Sequence, residues 1–191
     1  MDRDIRQTRS VSTEFKTRSE GEDKYIEGYF VVFNSIYEMW DGATESIAPG
    51  AFDNTLSDDI RALVNHDSTL VLGRTAAHTL ELTQDERGLF GRIKINPNDS
   101  DAMNLYARVQ RGDVSQCSFG FDILSEETDF RDDGSVHWTI TDVKLYEVSC
   151  CTFPAYEATS INARKRDYEE LRAKQTDTWR AKMLNRLKEE S

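Results

Sequence analysis

Three cysteines, two of them the adjacent Cys150 and Cys151, leave this chain of 191 residues with neither a disulfide framework nor a C-x-x-C metal knuckle. A reducing compartment is the expectation. Positive charge is also in short supply. Lys and Arg total 24 against 35 Asp and Glu, a net charge of −11. General binding to nucleic acid or to an anionic membrane draws on Lys and Arg neutralising phosphates, so both are excluded as a main role, and basic partner surfaces fit better. No apolar run approaches membrane-spanning length, and nothing apolar follows the charged start Met1-Asp2-Arg3-Asp4-Ile5-Arg6. We therefore expect no secretory signal, and a soluble, intracellular protein. There is no glycine-rich phosphate loop, and three scattered histidines do not reproduce zinc spacing, so no cofactor or metal is expected.

What is present is 38% hydrophobic and 31% charged, enough for one folded body with solvated ends. Residues 1–23 are mostly polar, with a short alternating run near Val11 and Phe15, and read as a mobile arm or an edge strand. Residues 24–162 form the expected body. Residues 163–191 are dense in Lys, Arg and Glu, with Trp179, Met183 and Leu187 at four-residue spacing, which predicts a charged helix with a thin docking stripe.

Within the body, strands are expected at Tyr25 to Phe33, Ile60 to Asn65, Thr79 to Thr83, Leu89 to Ile95, Val114 to Leu124 and His137 to Cys151. Pro49-Gly50 breaks any regular element, and Phe52 with Leu56 suits one short helical turn. Ala102, Leu105 and Val109 share a helical face between a capping Asp99 or Ser100 and a terminating Gly112. Many short strands with one clear helix predict a β-rich α+β fold built on a small closed or partly closed β-barrel.

Read with period two, Cys117, Phe119 and Phe121 face the core, and Ser118 faces the other way beside Gly120, which leaves room for a substrate carbonyl. Ser118 is thus either a nucleophile or a solvated strand serine. His66, in Asn65-His66-Asp67, is a candidate base or a strand-end histidine bonded to a neighbouring Asp. His78 and His137 read first as surface or packing residues, either available as a second histidine. Glu147 shares a face with Ser149 and needs a partner if buried, a histidine N–H or a nearby Lys or Arg. Cys117 points inward as an apolar thiol, which weakens a cysteine-hydrolase alternative.

Several stretches then resemble the prohead (procapsid) maturation serine proteases of tailed bacteriophages, relatives in fold of the herpesvirus assemblins. They are Gly28-Tyr29-Phe30-Val31-Val32-Phe33, Glu45-Ser46-Ile47-Ala48-Pro49-Gly50-Ala51-Phe52, Ala62-Leu63-Val64-Asn65-His66-Asp67 leading to Leu72-Gly73-Arg74, Ser118-Phe119-Gly120-Phe121, and Leu145 through Tyr156. The resemblance implies a herpesvirus-protease-like barrel, with Ser118 as nucleophile and His66 as general base. Glu147 is favoured as the third member, with His137 as runner-up. It further implies an endopeptidase acting on major capsid protein and scaffold segments, and on itself, inside the procapsid in the bacterial cytoplasm, and leaves a homo-oligomer open. The alternative is a catalytically silent assembly barrel, against which the presence of both His66 and Ser118 argues.

Overall fold

The computed structural model describes residues 7–12, 15–153, 164–174, 176–178 and 180. Its strands are β1 (Gln7–Ser12), β2 (Lys16–Glu20), β3 (Asp23–Val32), β4 (Tyr37–Trp40), β5 (Ala43–Ile47), β6 (Arg61–Val64), β7 (Asp67–Arg74), β8 (Leu80–Gln84), β9 (Gly88–Ile95), β10 (Gln116–Phe130) and β11 (Val136–Cys151). One α-helix, α1 (Ser100–Arg111), lies between β9 and β10. Residues 2–156 make one compact unit and residues 157–191 contribute to another, in which residues 164–174 are helical. Trp179, Met183 and Leu187 lie outside the described residues. No helix of the described residues is long and apolar enough to cross a membrane.

The strands form two sheets. A four-stranded antiparallel sheet runs β2-β3-β9-β8, and a seven-stranded mixed sheet runs β1-β10-β11-β5-β4, with β6 pairing β11 and β7 pairing β6. Of the closed or partly closed barrel expected, the closed form is not found among the described residues. Closure requires the edge strands of a sheet to pair, whereas among the described residues β1, β4 and β7 are edges of one sheet and β2 and β8 of the other. The segment read as an arm or an edge strand holds two edge strands, β1 and β2.

The apolar faces meet in one core, where Phe30, Phe52, Phe119 and Phe121 are fully buried with Ile26, Ile93 and Ile95. Phe119 and Phe121 stack at 4.9 Å, and Phe52 meets Phe119 edge-on at 6.1 Å. Helix α1 buries Ala102, Leu105, Tyr106 and Val109. The Asp99 carboxylate caps it by accepting from the backbone N–H of Asp101 at 2.9 Å and Ala102 at 3.2 Å, and Gly112, at φ 88°, ends it. Phe52 and Leu56 sit in a run of turns, where the Phe52 carbonyl accepts from the N–H groups of Thr55 and Leu56.

Two features of this framework position the site. The long strand β11 carries β5 beside its first half and β6 beside its second, both parallel to it. Between Gly120/Glu147 and Phe121/Leu145, the β10–β11 ladder gains one residue, Tyr146, on β11. This bulge resets the alternation. Leu145 joins Phe121 in the core, while Glu147 stays on the face of Gly120.

Candidate active site

Strand β6 runs past Glu147, Val148, Ser149 and Cys150 and then reverses through a two-residue turn, Asn65-His66, into β7. Both turn residues have positive φ, 51° and 61°. That is the left-handed pair a tight hairpin requires, and Asn and His are among the residue types that tolerate it. The expectation of a strand-end setting for His66 is therefore corrected. Its backbone is fixed by the turn, which is tied to β11 by bonds from the Asn65 N–H to the Cys150 carbonyl (3.0 Å) and from the Thr152 N–H to Asn65 Oδ1 (2.9 Å). A third tie runs from the His66 N–H to Ser149 Oγ (3.2 Å).

These bonds aim the imidazole at Glu147. His66 Nδ1 donates to Glu147 Oε1 at 2.7 Å, and Ser149 Oγ donates to Glu147 Oε2 at 2.7 Å. Glu147 is 4% exposed and Ser149 fully buried, so the carboxylate meets its need for partners through a histidine and a hydroxyl. The other ring nitrogen, Nε2, has Cys151 Sγ at 4.0 Å. Burial opposes the charged imidazole, but the contacts with Cys151 and Glu147 outweigh it and raise the His66 pKa from 6.5 to about 10.

Ser118 lies directly opposite Ser149 on β10, and Gly120 lies opposite Glu147. Cross-strand partners of an antiparallel pair point to the same face, so Ser118 shares the face of Glu147, Ser149 and Cys151. It is not solvated, as an outward strand serine was expected to be. Its exposure is 0%, and its hydroxyl donates to the carbonyl of Arg9, on the paired strand β1, at 2.8 Å. The opposite face behaves as expected, with Cys117 buried and its thiol directed at the carbonyls of Tyr29 and Phe30.

The other histidines lie apart from this group. His137 is held between the hydroxyls of Thr44 (2.8 Å) and Ser46 (2.9 Å), on the half of β11 that pairs with β5. His78 is exposed, at the left-handed end of the short 3₁₀ turn Thr75–Ala77. Burial pushes the Cys150 thiol far up, as fits an inert core group. A cleft of about 450 Å³ between β7, β9 and the start of α1 contains none of these residues.

Three participants escaped the reading of the sequence. Cys151, four residues after Glu147, follows from the same period-two face that links Glu147 to Ser149. Arg9 and Glu45 form a buried ion pair near the Phe121 ring, with Arg9 Nε to Glu45 Oε1 at 2.6 Å and Nη2 to Oε2 at 3.1 Å. They lie 36 positions apart, and no local signal joins them.

The chain is 34% identical over 157 residues to the prohead protease of Enterobacteria phage HK97. The match covers 80% of this chain and 65% of that protein, so the chain spans a little under two thirds of that relative's length. It is also similar to the solved capsid assembly protease of bacteriophage T4, at 12% identity and a TM-score of 0.44, over 78% of this chain and 99% of that one. Residues 12–174 match the sequence profile of the caudovirus prohead serine proteases, and the chain belongs to that family.

Proposed function

We propose that this chain is a serine endopeptidase of procapsid maturation, with Ser118 as nucleophile, His66 as general base and Glu147 as the group that orients His66. The observation that carries this reading is the 2.7 Å bond between His66 Nδ1 and Glu147 Oε1. It fixes the tautomer that leaves Nε2 to exchange a proton, on the face that also carries Ser118. Ser118 Oγ gives its proton to His66 Nε2 and attacks a peptide carbonyl carbon. His66 returns that proton to the leaving amine as the C–N bond breaks, and water hydrolyses the resulting ester.

The geometry also sets a condition. Ser118 must exchange the Arg9 carbonyl for His66 Nε2 as its hydrogen-bond partner, so the described arrangement is a resting one. The substrates we propose are capsid and scaffold segments, and the chain itself, inside the procapsid in the host cytoplasm. The relation of fold to herpesvirus assemblins belongs to this same proposal.

A second reading, a catalytically silent assembly module, draws on the complete burial of Ser118. A fluorophosphonate, which esterifies activated serines, separates the two. When the full chain is produced with its capsid and scaffold partners, peptide mapping is expected to find the adduct on Ser118 in the wild type and none in His66→Asn. No adduct on Ser118 in either favours the silent module.

A further inference from the structure

Among the described residues, the edge of β10 is filled by the six of β1, Gln7–Ser12. Strand β1 pairs with β10 alone, antiparallel, with Arg9 opposite Phe119 and Ser10 opposite Ser118. Adding an extended strand to a sheet edge is how many proteins take peptides, with backbone bonds supplying affinity and side-chain pockets supplying choice. Here the carbonyl that accepts the Ser118 hydroxyl belongs to Arg9. In a substrate seated the same way, that carbonyl is the one to be attacked.

The Arg9 side chain enters a pocket built for it. Glu45, 0% exposed, takes the guanidinium with both oxygens, and the guanidinium carbon lies 5.8 Å from the centre of the Phe121 ring. Tyr37, opposite Glu45 on β4, adds a buried hydroxyl with no hydrogen-bond partner among the described residues. Such a pair is a poor way to stabilise an edge strand, because desolvating two charges offsets most of their attraction and apolar residues would do as well or better. A planar fork matched to a carboxylate is, by contrast, a strong way to choose arginine.

We propose that β1 lies in the channel for the substrate strand, and that Glu45 is the specificity-determining residue, selecting an arginine whose carbonyl Ser118 attacks. This rests on the protease reading above. The Ser118 Oγ–C bond forms and the peptide C–N bond after that arginine breaks. The Oγ proton passes through His66 to the leaving amine, and water then releases the arginine carboxylate. Substrate must displace β1, which competes as a tethered ligand.

The test is a cleavage profile of the full chain on an equimolar peptide library at millimolar concentration. Wild type, Glu45→Gln and Ser118→Ala are compared by mass spectrometry. Cleavages that depend on Ser118 are expected to follow arginine over leucine or glutamate by about 100-fold, the scale of leaving a buried charge unpaired. In Glu45→Gln that preference is expected to fall below about 5-fold. If Glu45→Gln does not fold, the wild-type profile decides alone. Ser118-dependent cleavage without enrichment of arginine overturns the subsite and leaves the protease reading standing. Absence of any Ser118-dependent cleavage overturns both.

Discussion

Glu147 Oε1 and His66 Nδ1 meet at 2.7 Å, joining the strand β11 to the tip of the β6–β7 hairpin. The contact depends on two local devices, the bulge at Tyr146 that turns Glu147 away from the core and the left-handed turn that fixes His66. Both can be tested apart from the chemistry.

The first concerns proton affinity. In the resting arrangement the contacts with Cys151 and Glu147 raise the His66 pKa to about 10, so the proposed base is the fraction of His66 that has released this proton. An NMR titration is expected to place that pKa well above 6.5, and Glu147→Gln is expected to bring it back toward that value. Because the folded pKa is raised, the pairing stabilises the fold fully below pH 6.5, and the gain is lost as pH rises toward 10. The gap in denaturant midpoint between wild type and His66→Asn should therefore narrow from pH 6 to pH 10. A gap that does not change with pH contradicts the ion pair.

The second concerns Ser149, whose hydroxyl both donates to Glu147 and accepts from the His66 N–H. Ser149→Ala leaves two polar groups short of a partner and is expected to cost about 1–3 kcal/mol in urea unfolding. Peptidase activity should fall in Ser149→Ala and persist in the control Cys151→Ser, since Cys151 Sγ stands 4.0 Å from Nε2 but is not assigned the attack. Loss of cleavage in Cys151→Ser with cleavage retained in Ser118→Ala would reassign the nucleophile.

The third concerns the turn. Asn65→Gly keeps the positive φ and loses only the Asn65 side-chain bonds to Thr152, so a cost of roughly 1 kcal/mol is expected. Asn65→Val, β-branched where φ is 51°, should cost clearly more and displace His66. Equal midpoints for the two variants contradict the role given to the turn.

Much of this was legible because the signals were local. Asp99 and Gly112 mark α1 at both ends, and the turn at Asp85 to Gly88 marks the β8–β9 hairpin, where the Asp85 side chain accepts from the N–H groups of Arg87 and Gly88. The facing of Phe119 against Ser118 followed from period two. Strand β7 did not declare itself, since only Leu72 and Gly73 of its residues are buried and no alternation results. The burial of Ser118 was hidden for a different reason. The hydroxyl's partner is on β1, whose Gln7, Thr8 and Arg9 are polar yet buried, and Arg9 finds its carboxylate in a distant strand. Edge pairing and buried ion pairs are decided by tertiary contact, which composition and spacing do not encode.

The most direct measurement is intact mass of capsid and scaffold proteins produced together with the wild-type chain or with Ser118→Ala. Truncation of those proteins, or of the chain itself, is expected with the wild type only. Identical masses in both would contradict Ser118 as the nucleophile and leave the silent assembly role.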